Sequence, residues 1–329
     1  MSFNQLIQLN ALDLIGGQPN LANMLYLENL SNTANQMSLK SSKPFQVKGD
    51  VLTPTAALIQ LDGVIKNTLQ MIQSGFTPPN ELHTSPYVLN KAAGILLLKT
   101  YYIAQQRQWF DLLAINHHPN KVQMLSSLLQ LWNEIRGYSM SAEAEKEAKS
   151  RSKLITEQRN ENSRIVSRLL TEHTNIQMSK ISYPFVIACN TQQLDMSKVE
   201  KALVKLKSKM VDQLQQLNGG NLLCLQWRIQ QTISGQYYVN FLLYHSEQQP
   251  LQLPQDQDLL SHSFTEAEQQ TIKLDLSSVL TQIIKIERDN FQGINLEQWK
   301  VIFNSMLYPL KYYYYQSKVI SAKFEHIIY

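Results

Sequence analysis

Lysines and tyrosines in the second half of the sequence carry its most legible chemistry. Lys198, Lys201, Lys205 and Lys209 recur at steps of three, four and four, which lines them along one side of an α-helix. Lys207 lies beside them, and only Glu200 and Asp212 offset them within the segment. Such a stripe can follow a phosphate backbone, because each lysine–phosphate contact releases condensed counterions. Upstream, Arg151, Lys153, Arg159, Arg164 and Arg168 add positive charge. Further along, Tyr308, Tyr312, Tyr313, Tyr314 and Tyr315 are interleaved with Lys311, Lys318 and Lys323. Aromatic rings among lysines can stack bases while the ammonium groups hold phosphates, and a tyrosine hydroxyl is also a nucleophile. Four consecutive tyrosines cannot all face a core, so at least one is expected to be exposed; Tyr314 and Tyr315 are the candidates for stacking or for catalysis. The plainer reading is a solvated lysine face and an aromatic segment packed on a sheet, with phenol tips in water.

No other catalytic signature is complete. His117 and His118 sit beside a proline with no acid or cysteine nearby, and His83, His173, His245, His262 and His326 are scattered. No metal-binding set is expected from them. Neither a dinucleotide-binding glycine fingerprint, a phosphate-binding Gly-Lys-Ser/Thr loop nor a Gly-x-Ser-x-Gly elbow occurs, and 11 glycines leave little for a phosphate cradle. Cys189 and Cys224 both lie in apolar runs and form no Cys-x-x-Cys pair. They are expected as buried free thiols, which suits a reducing compartment.

The stretch from Trp227 to Tyr244 reads as two strands, Leu222–Gln230 and Gln236–Tyr244, turning at Ser234-Gly235. It resembles a stretch in the rolling-circle replication proteins of filamentous phages and related integrated elements. In that family a Trp-basic-apolar-Glu strand leads through a glycine turn to His-aromatic-His and an aliphatic run. Two histidines two apart on a strand share a face, so they can bind one divalent ion that polarises a DNA phosphate for attack by tyrosine. In this chain the histidine positions hold Gln236 and Tyr238, and the glutamate position holds Gln230. Amides and a neutral phenol bind Mg²⁺ or Mn²⁺ poorly. The resemblance covers roughly residues 165–325, with Ser179–Cys189 similar to the family's first core strand and Tyr314–Lys318 to its late Tyr/Lys segment. It implies a replication-initiator palm-like domain that keeps a binding scaffold and has lost metal-assisted nicking.

The elements that must position these residues follow from periodicity. Helices are expected over 19–31, from Thr53-Pro54 to Gly75 (Leu58, Leu61, Ile65, Leu69, Ile72), and after Ser85-Pro86 through the run Leu89–Ile115, which is one long helix or two shorter ones. Another is expected from Asn120 to Arg136 with Val122, Leu125, Leu129, Trp132 and Ile135 on one face and Gly137 as its stop. Residues 38–52 read as a polar connector, and 141–173 as a charged helix or helical linker held by Glu–Lys pairs. Ile181–Cys189 suits a buried strand, with Pro184 arguing for an early or edge position. A helix capped by Ser197 follows, with Val199, Leu203, Leu206, Met210, Leu214 and Leu217 inward, and Asn218-Gly-Gly-Asn221 ends it. Thr265-x-x-Glu268 is a capping box, and Ser277–Ile286 and Asn295–Leu307 read as helices.

The expected class is therefore α+β: a helical domain over 1–140, a charged helix or linker over 141–175, and a domain over 176–329 whose small antiparallel or mixed sheet is backed by helices. Of 329 residues, 43% are hydrophobic and 17% charged, the net charge is +4 and the pI about 8.8. That balance permits nucleic acid as a partner without requiring it. The N-terminus lacks a basic region followed by an apolar core, and the run Gly94–Leu98 is closed by Lys99. No secretory signal, membrane span or membrane partner is expected, and the cytoplasm is the default location. The leading expectation is a nucleic-acid-binding protein of a phage or mobile element, with single-stranded DNA favoured and no cofactor. An assembly component using the helical half as a docking surface is one alternative. A tyrosine-dependent DNA nickase with a divalent metal at an unidentified site is another.

Overall fold

A computed structural model of the chain describes residues 18–39, 42–48, 51–73, 87–105, 119, 121–188, 196–231, 236–247, 249–255, 261–263, 271–276, 280–289 and 292–329. Gly75, His83, Ser85-Pro86, His117-His118, Cys189, Ser234-Gly235, the Thr265–Glu268 box and Ser277 lie outside the described residues. Residues 22–153 and 310–313 form one compact unit, and 154–309 with 314–329 make up most of a second. The charged segment expected at the boundary is a single helix, and the division falls inside it, between Lys153 and Leu154.

The first unit is mainly helical. Helix α1 spans Gln18–Ser38 and buries Tyr26, Leu27, Leu30, Ala34 and Met37. The stretch 38–52 is more than a connector: it contains strand β1 (Phe45–Lys48), which pairs antiparallel with β2 (Val51–Pro54). Helix α2 (Ala56–Gln73) begins after Thr55, whose hydroxyl accepts the Leu58 N–H at 3.4 Å. Thr53 and Pro54 therefore end a strand instead of opening the helix. The apolar run from Leu89 starts in strand β3 (Tyr87–Leu89) and becomes helix α3 (Lys91–Gln105), capped by Asn90. Helix α4 (Lys121–Ser139) passes through Gly137, around which no atom crowds. Its inward arc is Leu128, Leu131, Trp132 and Ile135, while Val122 and Leu129 are exposed. Helix α5 (Ala142–Glu172) follows Ser141, which caps it through the Ala144 N–H.

The second unit is an antiparallel sheet with helices on both faces. Strand β4 (Asn175–Ala188), helix α6 (Met196–Asn218), strands β5 (Leu222–Gln231) and β6 (Tyr237–His245) follow in order. Short strands β7 (Ser261–Ser263) and β8 (Thr271–Leu274), strand β9 (Leu280–Glu287), helix α7 (Leu296–Leu307) and strand β11 (Glu325–Ile328) complete it, while the short strand β10 (Tyr313–Tyr315) straddles the division after Tyr313. The sheet runs β11-β5-β6-β4-β8-β7, with β9 also on β4. The expected hairpin is present as β5–β6, with Gln230 opposite Tyr238 and Trp227 opposite Phe241.

Two expectations change. Pro184 lies in a central strand, not at an edge. It falls at the gap between two partners, because β9 pairs with β4 up to Ser182 and β8 from Phe185 onward. A missing N–H costs no ladder bond there, and the Pro184 carbonyl still accepts from Asp275 N at 2.9 Å. The segment ending at Ile286 is strand β9, not helix. Its isoleucines fit either period, and pairing with β4 over eight residues decides it.

Along each strand, alternate residues face opposite layers. One face, under α6, presents Ile181, Tyr183, Phe241 and Leu243, all buried. The other, under α5 and α7, presents Gln226, Arg228, Asn240 and Tyr244. There Asn162 of α5 donates to Gln226 Oε1 at 3.0 Å and to the Tyr244 hydroxyl at 2.7 Å, and accepts from Trp299 Nε1 of α7 at 2.8 Å. Asn218 ends α6 and is buried where Leu217 is exposed, because its amide ties the helix to Gln252 through two bonds of 2.8 and 2.9 Å.

Candidate nucleic-acid interface

Helix α6 carries the lysine stripe. Val199, Ala202, Leu203, Leu206, Met210 and Leu214 are buried beneath it. Lys198, Lys201 and Lys205 are exposed and Lys209 is half-buried. Lys207 leaves the stripe: its ammonium sits 4.8 Å over the Trp227 ring and 3.7 Å from Glu325. Glu200 also leaves it. Its side chain is 7% exposed and accepts the Tyr315 hydroxyl at 2.5 Å. The inward turn of Glu200 removes an acid from the outer face, which keeps three exposed lysines with Asp212 two turns away.

The tyrosines are placed differently from one another. Tyr315 is 1% exposed, stands edge-on to Tyr237 at 5.4 Å between ring centres, and shares a 3.0 Å hydroxyl contact with it. Burial, and then the Glu200 carboxylate, hold its phenol far above the ordinary range. A base cannot stack on a ring so enclosed. Tyr314 is half-buried, and Lys318 is exposed. Lys311, in the other unit, is exposed as well. Lys323 pairs with Glu157 at 2.6 Å.

The arginines of α5 add less free charge than their number implies. Arg151 is buried and paired with Glu147 at 2.9 Å. Arg164 bonds Glu161, and Arg168 lies 3.6 Å from Glu172. Such pairs within a helix neutralise one another.

The three positions matching the replication motif are brought together. Gln230 and Tyr238 are cross-strand partners, and Tyr238 donates its hydroxyl to Gln236 Oε1 at 2.6 Å. They face away from α6, since the neighbouring Tyr237 points to Tyr315 and its Glu200 partner. The sheet thus separates them from the lysines. Among the described residues, no three histidine, cysteine or acidic side chains are grouped so as to hold a metal ion. His245 is buried against the Ser179 hydroxyl at 2.9 Å, and burial lowers its pKa. Cys224 is a buried free thiol, with its pKa pushed up to about 12 by burial.

On the motif face the structure exposes a feature that the spacing of residues does not announce. Arg228, two residues before Gln230, is 3% exposed and its Nε and Nη1 have no hydrogen-bond partner among the described residues. Its guanidinium lies 4.5 Å over the Phe324 ring. Desolvation lowers its pKa to about 10. Asn240, directly opposite on β6, accepts from Ser182 at 2.7 Å but leaves Nδ2 buried and unpaired. Gln158 of α5 accepts the Phe324 N–H at 3.1 Å and leaves its own Nε2 unpaired. A cleft of about 640 Å³ adjoins this region, lined among others by Gln158, Gln226, Phe303, Phe324 and Lys323.

No protein-family model matches the chain, and neither a curated protein nor a solved structure does. Among the described residues, no helix is long and apolar enough to cross a membrane.

Proposed function

We propose that the chain is a nucleic-acid-binding protein of a phage or mobile element, which resembles the filamentous-phage replication initiators and holds single-stranded DNA without nicking it. The observation that carries this reading is the outer face of α6, where Lys198, Lys201 and Lys205 are exposed while Glu200 is turned inward. Lysines along about two turns form a cationic line that can follow a phosphate backbone and bind through counterion release. The strand–helix–hairpin order, with β6 between β4 and β5, is compatible with a palm-like domain. Gln230, Gln236 and Tyr238 offer a would-be metal site only amides and a phenol. Tyr315 cannot reach a phosphate from its buried position. Such a protein would work in the cytoplasm, where the DNA is.

Retention of a labelled single-stranded oligonucleotide at low salt, with and without Mn²⁺, tests the reading. The expected result is retention with the oligonucleotide uncut under both conditions. No retention at low salt, or Mn²⁺-dependent cutting, would overturn it.

A second reading, a protein partner docked on the helical unit, is favoured by Val122 and Leu129 of α4. They are 81% and 49% exposed and stand seven residues apart on one side of the helix. Stable self-association without DNA retention would support that reading instead.

A further inference from the structure

The seven-stranded sheet ends on one side at β11, which pairs with β5 alone. Two bonds fix where its backbone groups point. Tyr329 N–H donates to the Leu223 carbonyl oxygen at 3.0 Å, so the odd-numbered residues of this segment bond inward to β5. Phe324 N–H donates instead to Gln158 Oε1 of α5 at 3.1 Å, so the even-numbered residues point outward, as an antiparallel ladder requires. Gln158 thereby closes the outer edge at Phe324. Beyond it, the N–H and C=O groups of His326 and Ile328 face out and meet no partner among the described residues.

Edge strands are usually guarded against strand addition by lysine, proline or a bulge. The segment Glu325-His-Ile-Ile-Tyr329 has neither lysine nor proline, and its pairing with β5 runs without a bulge. Its one acid is engaged: Glu325 accepts from Trp227 Nε1 at 2.7 Å and lies 3.7 Å from Lys207. Ile327 and Tyr329 are 37% and 43% exposed and share a face with Glu325. An edge of alternating donors and acceptors is complementary to a second copy of itself, run antiparallel about a two-fold axis. The possible registers differ in what they pair. Centred on Glu325, like charges would face one another. Centred on His326, the second copy would bring its Ile328 against Phe324, whose N–H is already taken by Gln158. Centred on Ile328, His326 would stay unpaired within 325–329. Centred on Ile327, His326 exchanges N–H···O bonds with Ile328 of the other copy, and the two Ile327 side chains meet on the axis. Each Tyr329 then stands opposite the other copy's Glu325, a phenol donor facing a carboxylate.

We infer that β11 is the edge through which two copies of this chain pair, in an antiparallel ladder centred on Ile327. The contact uses neither the α6 lysines nor the exposed Val122 and Leu129 of α4, so it stands apart from both functional readings. So short a ladder buries less than the roughly 800 Å² per partner of a standard stable interface. The dimer therefore forms only as concentration rises.

Sedimentation velocity of the full chain over roughly a hundredfold range of concentration tests this. The wild type is expected to shift from monomer to dimer. His326→Pro removes an outward N–H and leaves the bonds to β5, a change that an edge strand tolerates. It should weaken dimerisation by about tenfold, since each copy loses a ladder bond, with little change in Tm. Ile327→Asp and Ile327→Lys each put like charges on the axis, and each alone should stay monomeric. An equimolar mixture of the two should dimerise again, because the axis then joins opposite charges. Leu129→Glu should associate as the wild type does. A wild type that stays monomeric at every concentration overturns the inference, and is what an edge reserved for a foreign peptide would give. A dimer that survives His326→Pro and both Ile327 variants, or that is lost in Leu129→Glu, lies elsewhere and also overturns it. If His326→Pro does not fold, the Ile327 variants decide alone. Failure of their mixture to dimerise overturns the register centred on Ile327.

Discussion

The Tyr315 hydroxyl donates to the Glu200 carboxylate at 2.5 Å, and both side chains are buried between α6 and the sheet. The length is that of a charge-assisted bond. It fixes two things at once. The tyrosine is held inside, and α6 is left with a cationic outer face.

Breaking that bond should cost stability and leave DNA binding untouched. Tyr315→Phe is expected to lower stability by about 2 kcal/mol, since it strands a buried carboxylate. Urea unfolding measures the loss, and anisotropy of a labelled oligonucleotide should report an unchanged affinity. A Tyr315→Phe variant that folds normally but loses DNA binding or cutting would restore the tyrosine to a functional role.

The same burial sets an alkaline limit. The Tyr315 pKa is raised in the folded state, chiefly by burial, and Tyr26 is pushed up to about 12 for the same reason. Groups held neutral by folding contribute stability that is intact below the unfolded value of 10 and declines as pH rises beyond it. Absorbance of phenolate should therefore show Tyr315 and Tyr26 ionising only as the chain unfolds. A single titration of all tyrosines near 10 would contradict this.

How much of this was legible in the sequence differs by element. Helix α6 was readable because its apolar period holds over its 23 residues, and the β5–β6 hairpin because two aliphatic and aromatic runs flank Ser234-Gly235. Even Glu200 was readable in principle: it stands beside Val199 and three before Leu203, within the buried arc. Strand β9 was not, because Ile283, Ile284 and Ile286 satisfy helix and strand spacing alike and only pairing with β4 chooses. The inward arc of α4 was misplaced by about one residue, since Leu125, Leu128, Leu129, Leu131 and Trp132 allow two overlapping faces. Arg228 was hidden for a different reason. A basic residue between Trp227 and Ile229 looks ordinary, and the absence of a facing acid is a fact of tertiary packing alone.

Asn162 joins two helices to the sheet through three bonds, and Gln226, Tyr244 and Trp299 depend on it. Asn162→Leu leaves those polar groups buried and unmatched and should cost about 3 kcal/mol. Chemical denaturation checks the figure. A loss below that of an ordinary surface substitution would mean that the network contributes little.

Two glycines should respond oppositely to alanine. A Cβ on Gly293 would meet the Lys285 carbonyl oxygen at 2.6 Å, in the turn where Glu287 accepts the N–H groups of residues 292 and 293. Gly293→Ala should destabilise by about 2 kcal/mol. Gly137, inside α4 with open space around it, should gain about 1 kcal/mol on the same change. Melting curves of the two variants should move in opposite directions; a shared direction would contradict the placement of one of them.

The most direct measurement is the salt dependence of single-stranded DNA binding for the wild type and for Lys198, Lys201 and Lys205 changed together to glutamine. A steep decline of affinity with salt is predicted for the wild type, with the slope of log K against log salt reduced by about 2 in the variant. An unchanged slope in the variant, or wild-type binding that ignores salt, would contradict the assignment of the α6 face to nucleic acid.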